Sequence, residues 1–448
     1  MSADATERVP MSDFDELGSA SGRDEIRPRE VAGLAIAAVA IPLLGWAFWA
    51  LVLHLGANDF HDYWLAGKLI LQGQSPYDSA ALAEAARREG LSFLVGGGYS
   101  YPLPFAVAMV PFALLPFAAA VAAFGAVSLV CFGVTVAAWL VWANGRAPVA
   151  GRRRLVAALV AGLYPPVYGT VAMGQANLLL FPLLGIGTVL VLDGATSRRR
   201  FVGGLLIGVA AIVKLVPGVW AVPLGLGRRF GAALGIAVGA LGSLAVAVAV
   251  APWAAAGSGG LASLLDPDAF YTNQSINGFV SRLVVSSDKS VAPWNGGFDP
   301  RPVMLVATAA FGLLTLSALW RARGQMRSRR GLALGLGLAL VAGIVGAPKD
   351  SFWNGSIALV AVGLLLAVDA PDLRLRSLGR TDLGLLGVWF GSALVWAVVW
   401  AIEPPAASPL APIVTLAWSS SFYGLVALWC LFVRRLRSGQ DSAETTIS

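Results

Sequence analysis

Long apolar runs separated by short clusters of arginine leave this chain few ways to fold. Of its 448 residues, 57% are hydrophobic and only 13% are charged, against about 25% charged in soluble domains. The 52 glycines and 25 prolines sit within Leu/Val/Ala runs, where membrane helices tolerate them. A backbone in lipid must satisfy its own hydrogen bonds, and about 20 apolar residues make one helical crossing. The composition therefore predicts an all-α polytopic membrane protein.

The basic residues mark the sides. Arg152 to Arg154, Arg198 to Arg200, Arg228 with Arg229, Arg321 to Arg330, Arg374 to Arg380 and Arg434 to Arg437 all fall between apolar runs. That spacing reads as cytoplasmic loops facing anionic headgroups, so the net charge of +7 points to membrane lipids and not to nucleic acid. With the N-terminus inside, spans fall near 31–54, 117–142, 155–170, 178–193, 201–213, 215–227, 230–253, 302–320, 331–347, 355–370, 383–402 and 411–433. This leaves 24 of the 32 Lys and Arg residues on the cytoplasmic side, the other eight being Lys68, Arg87, Arg88, Lys214, Arg282, Lys289, Arg301 and Lys349. The asymmetry predicts a multi-pass protein with both termini cytoplasmic, and the expected location is a bacterial inner membrane.

Residues 1–30 are polar and acidic and read as a disordered cytoplasmic tail, 31–433 as one membrane domain, and 434–448 as a second cytoplasmic tail. The tail also excludes a simple cleaved signal peptide, whose leader is short and basic. Residues 201–227 are too few for two full crossings, which need about 40; they predict a short hairpin with Lys214 at its tip. Residues 101–116 are apolar but cut by Pro102, Pro104, Pro111 and Pro116, which predicts an interfacial or re-entrant segment. Two long external loops, 55–116 and 254–301, remain; the first holds helical stretches at 63–72 and 79–89. Cys131 and Cys430 lie in apolar runs and read as small core residues.

Chemistry needs polar groups, and few are available. Asp59 and Asp62 are three apart and share a helical face. Such a pair could supply a general base through one raised pKa. It could equally be two solvated loop acids, one capping a helix that starts near Tyr63, and spacing alone favours that reading. Lys214 lies inside AAIVKLVPG, where a cation costs about 2.5–3.5 kcal/mol. It requires a partner, for which a lipid phosphate is the natural anion, unless it snorkels to the interface. Gln175 and Asn177 open an apolar span, as sugar-binding amides or as helix caps. Asn273, Gln274 and Ser275, with Arg282, offer the same choice, and N-x-S is also a glycosylation acceptor pattern. The histidines are His54 and His61. No metal-ligand cluster, phosphate-binding glycine loop or serine triad is visible, so no metal or cofactor is expected.

Five short motifs in order carry a resemblance. They are Asp59-Phe60 with Tyr63, Ala66, Gly73 and Pro76-Tyr77; Tyr101-Pro102 with Pro111 and Leu115-Pro116; Gly174-Gln175 with Asn177; Lys214 with Pro217; and Asn273-Gln274-Ser275. Together they resemble glycosyltransferase family 87, integral membrane enzymes of the GT-C superfamily that include polyprenol-phosphate-mannose-dependent α-(1→2) mannosyltransferases. The resemblance implies a GT-C-like bundle of about 12 transmembrane helices. It also implies transfer of a hexose such as mannose from a polyprenyl-phosphate donor to a lipid or glycan acceptor on the non-cytoplasmic face. Asp59 matches the family's loop aspartate, taken as the base; Asp62 matches no family position. Lys214 would contact the donor phosphate, Gln175 and Asn177 the sugar or acceptor, with Tyr63, Tyr77 and Tyr101 among the matched loop positions. Near residue 350 the family pattern of SP-x-SW followed by histidine is replaced by Ala347-Pro348-Lys349-Asp350-Ser351-Phe352-Trp353-Asn354. Lys349, Asp350 or His61 would then take over the histidine's task.

Two other classes compete. A lipid or sugar-lipid transporter would also explain many spans and an intramembrane lysine, but a proton-coupled carrier normally has carboxylates near the bilayer midplane, and none is found there. An inactive homologue would explain the missing histidine.

Overall fold

The computed structural model describes residues 28–52, 58–91, 99–144, 149–257, 266–287, 290–294, 297–402 and 411–445. Most of the 1–30 tail, His54, Lys289 and residues 446–448 lie outside them. The described residues form helices and 3-10 turns without a strand. Nine of the helices are long and apolar enough to cross a membrane. The pair Gly151–Leu163 and Pro165–Met173, bent by 51°, passes the same test taken together, while 201–213 and 215–227, two of the twelve expected spans, do not. The bend has a sequence cause: Tyr164, preceding Pro165, is held extended (φ −67°, ψ 114°), because a proline clashes with an α-helical residue before it. The chain is an all-α polytopic membrane protein.

The hairpin at 201–227 is built asymmetrically. Its first arm, Ser197–Val213, is about 26 Å long at 1.5 Å per residue; its return is a 3-10 turn, Val216–Trp220, followed by the short helix Ala221–Leu226. Lys214 ends the first arm. That arm packs on Phe230–Val250 through two reciprocal glycine pairs. A Cβ on Gly204 or Gly208 would come within 2.0 Å of Ala232 O or 2.1 Å of Ile236 O, and one on Gly235 or Gly239 within 2.3 Å of Phe201 O or 2.2 Å of Leu205 O. Small residues four apart let membrane helices approach this closely, and the contact fixes the height of Lys214.

Several helices start earlier than hydropathy places them. Gly151–Leu163, Ser197–Val213, Arg329–Gly346 and Arg380–Ile402 carry arginines in their first turns, since arginine propagates a helix while its head reaches the interface. The arginine-rich ends gather on one side of the bundle, tied by Arg329–Asp193 (2.9 Å), Arg434–Asp382 (3.1 Å) and Arg435–Asp382 (2.9 Å).

At the opposite end the first loop forms its own small core. Asn58–Leu71 is one helix, beginning five residues earlier than the spacing suggested. It buries Phe60, Tyr63, Trp64, Leu69 and Ile70. Phe60 packs among Phe112, Phe117 and Phe124, the last at 4.6 Å. Prolines split the following segment into Leu103–Ala108 and Val110–Ala113, too short to cross. Ser79–Arg88 is capped by Asp78 and buries Leu82, Ala85 and Ala86. This layer clamps one helix, with its two aspartates, over the ends of the spans.

Candidate active site

Asp59 lies in the first turn of Asn58–Leu71. Gln175 follows Gly174, whose left-handed backbone (φ 68°) ends Pro165–Met173. Glycine adopts that conformation without a Cβ penalty, and the turn it permits projects Gln175 toward the first loop. The Gln175 side chain caps no helix. Its Nε2 donates to Asp59 Oδ2, while its Oε1 accepts from Tyr63 OH at 3.2 Å, Tyr101 OH at 3.0 Å and Lys214 Nζ at 3.2 Å. A carboxylate accepts only, so the amide has one workable orientation, with nitrogen toward Asp59 and oxygen toward the three donors.

Lys214 also donates to Asn354 Oδ1 at 2.8 Å and stands 5.1 Å above the Tyr101 ring. It forms no ion pair among the described residues and is half-buried. Two amide oxygens and an aromatic face solvate the ammonium without neutralising it, so it remains available to an anion. Asn354 Nδ2 in turn donates to Asp350 Oδ1 at 2.9 Å. Asp59, Gln175, Lys214, Asn354 and Asp350 thus form one continuous line of polar contacts.

Burial raises the Asp59 pKa, opposed by the hydrogen bond from Gln175 and by the charge of Lys214. Asp62, one turn on and 8% exposed, is pushed up to about 7 by burial and then by the neighbouring Asp59 charge. Its Oδ1 is buried without a hydrogen bond. Asp350 is likewise raised to about 7 by burial, against the Asn354 hydrogen bond and Lys214. Burial holds the Tyr63 hydroxyl well above its ordinary pKa, so it stays a donor.

The other sequence candidates separate into contributors and scaffold. Tyr77 OH donates to Tyr101 O at 2.9 Å and so steadies that loop position. Asp59 and Asp62 are both inside the helix, so neither is the cap that spacing favoured. Asn177, fully buried, donates to Trp353 O at 2.9 Å; it ties the bundle to the 350–354 turn and does not join the polar line. Asn273, Gln274, Ser275 and Arg282 are at most 2% exposed. Gln274 N donates to Asp350 O (2.6 Å), Asp350 N to Asn273 Oδ1 (3.1 Å) and Phe352 N to Thr272 O (2.7 Å). Arg282 is consumed by Phe270 O, Asn273 O and Ser419 Oγ. These four residues therefore form the backing that sets Asp350, and Asn273 is closed to glycosylation. His61 stacks on Phe117 at 4.5 Å, and Lys349 is exposed beside the turn. Asn354 was the residue missed. Its place four after Asp350, opening the apolar run 355–370, was a signal of the kind that singled out Gln175.

The model of glycosyltransferase family 87 matches residues 99–348. A polyprenol-phosphate-mannose-dependent alpha-(1-2)-phosphatidylinositol mannoside mannosyltransferase of Mycobacterium tuberculosis is 28% identical over 369 residues, covering 77% of this chain and 78% of that protein. A polyprenol-phosphate-mannose-dependent alpha-(1-2)-phosphatidylinositol pentamannoside mannosyltransferase of Mycolicibacterium smegmatis is 25% identical over 427 residues, covering 90% and 92%. With more than half its length matched by the family model, this multi-pass membrane protein belongs to glycosyltransferase family 87.

Proposed function

We propose that this chain transfers a mannosyl residue, or another hexose, from a polyprenyl-phosphate donor to a hydroxyl of a lipid-linked or glycan acceptor. The carrying observation is that one amide, Gln175, touches both the acid and the cation such a reaction needs. Two relatives whose names specify a polyprenol-phosphate-mannose donor and phosphatidylinositol mannosides support the donor and acceptor classes.

In this reading the acceptor oxygen attacks the anomeric carbon as the bond from that carbon to the phosphate oxygen breaks. The acceptor proton passes to the Asp59 carboxylate, and the electron pair of the broken bond leaves with the lipid phosphate. Lys214 meets the charge gathering there; a donor preorganised in a partly dry site stabilises a developing anion more than water does. Gln175 and Tyr63 hold Asp59 and the cation at a fixed separation. Asn354, near where the family pattern has a histidine, orients Lys214, and Asp350 aims Asn354. Asp59 acts only when deprotonated, and the Gln175 hydrogen bond favours that form against the cost of burial. A phosphate is a good leaving group, so Lys214 suffices in this scheme without a metal ion. The positive-inside count supports a site on the non-cytoplasmic face of the membrane.

The test is transfer by the purified chain from a radiolabelled polyprenyl-phosphate mannose to phosphatidylinositol mannosides. A mannosylated product that depends on the donor's phosphate supports the reading. Movement of the lipid across proteoliposomes without a covalent product would replace it with transport.

A further inference from the structure

At the arginine-rich end, far along the bundle from Asp59, lies a cavity of about 520 Å³ with almost wholly apolar walls. Side chains of 117–144, 151–163, 358–369 and 380–402 form it, among them Val156, Ala161, Leu366 and Phe390. Arg152 and Arg153 stand at its rim. A second, charged hollow shares Arg153 and Leu375 with it and adds Asp372, Arg374 and Arg376. Four arginines thus face one aspartate. Arg153 and Arg374 both lean on Asp372 (4.0 and 3.0 Å), while Arg152 and Arg376 are exposed and form no ion pair among the described residues.

Trp139 forms part of the apolar wall. Its indole is seated by two glycines: a Cβ on Gly363 would lie 1.9 Å from the ring, and one on Gly185 3.2 Å from Nε1. Apolar volume inside and excess positive charge at the mouth follow the order of groups in one molecule. An acyl chain and a phosphate occur in that sequence in a glycerophospholipid.

We propose that this cavity binds one anionic glycerophospholipid of the surrounding membrane, its acyl chain against Val156, Ala161 and Phe390 and its phosphate between Arg152 and Arg376. Charge selects the occupant. A zwitterionic lipid would fill the same volume but gain little from the arginines, whereas each basic residue near a surface is worth about 1 kcal/mol toward an anionic one. The site does not depend on the transferase reading, because it shares no residue with the Asp59 line.

The experiment is native mass spectrometry of the full chain in detergent, titrated with phosphatidylglycerol, phosphatidylcholine of matched chains, and polyprenyl phosphate. One phosphatidylglycerol should bind in preference to the other two. Arg152→Gln with Arg376→Gln, both at exposed positions, should weaken it by roughly fivefold per arginine and leave phosphatidylcholine unchanged. Ala161→Phe, which fills the cavity, should weaken both phospholipids. Equal binding of the two phospholipids, preference for polyprenyl phosphate, or wild-type binding by Ala161→Phe would overturn the proposal.

Discussion

Lys214 Nζ lies 2.8 Å from Asn354 Oδ1, although 140 residues separate them in sequence. The contact joins the tip of the short hairpin to the turn after the Arg329–Gly346 span. It gives the ammonium a direction, which a point charge on four rotatable carbons lacks on its own.

Replacing Asn354 by leucine should therefore disorder Lys214 more than it disturbs the fold. Hydrogen bonds to charged groups are worth about 1.5–3 kcal/mol, so kcat/KM for the polyprenyl-phosphate donor should fall by tenfold or more. Asn354→His, with its ring nitrogen as acceptor, should keep a substantial share of the activity. Steady-state kinetics over donor concentration separates the two variants.

Gln175→Glu changes one group and turns a donor to Asp59 into a like charge. Activity should drop by about a hundredfold or more at neutral pH, with part regained at lower pH as the new carboxylate protonates. Gln175→Ala, which removes the bridge without adding charge, should show no such recovery.

The pH profile follows from the two carboxylates. Asp59 must be ionised to act, and burial raises its pKa, so kcat/KM should rise with pH along an acid limb above the ordinary carboxylate range. Asp59 and Asp62 repel when both are charged, and the limb belongs to the pair. Asp62→Asn removes that repulsion and should move the limb to lower pH. An unmoved limb in that variant would mean that the two groups do not titrate together.

Asp350 affects stability with the opposite sign from a salt-bridged acid. Its pKa is raised from 3.8 to about 7 in the folded chain, so between those values the native state binds more protons than the unfolded one. Stability should fall as pH rises from about 4 to 7 and stay low above. Asp350→Asn still accepts from Asn354 and loses that penalty; its Tm in detergent should be higher than wild type at pH 8 and little different at pH 4. Thermal unfolding at the two pH values checks this.

How much of this was legible in the sequence depended on the range of the interaction. The all-α membrane class, nine of the twelve expected spans, the gathering of the arginine clusters at one end and the broken 101–116 segment followed from hydropathy and proline, which act locally. Lys214 could be singled out because a charge in an apolar run is conspicuous by itself. Gln175 and Asn177 could not be told apart: both are amides at the start of one span, yet the turn at Gly174 sends the first toward Asp59 and the second into the bundle against Trp353 O. Arg282 and the Asn273–Ser275 triplet looked like ligand contacts because they are polar, and only their pairing with 350–352 shows them to be support. Asn354 acquires its meaning solely from a contact across 140 residues, which no local pattern encodes.

The central claim is that Asp59 removes the acceptor's proton while Lys214 receives the leaving phosphate. Asp59→Asn tests it most directly, since asparagine keeps the shape and can still accept from Gln175. Single-turnover transfer from polyprenyl-phosphate mannose should slow by about 10²–10⁴-fold, with donor affinity within about twofold of wild type. Transfer by Asp59→Asn at the wild-type rate would contradict the account.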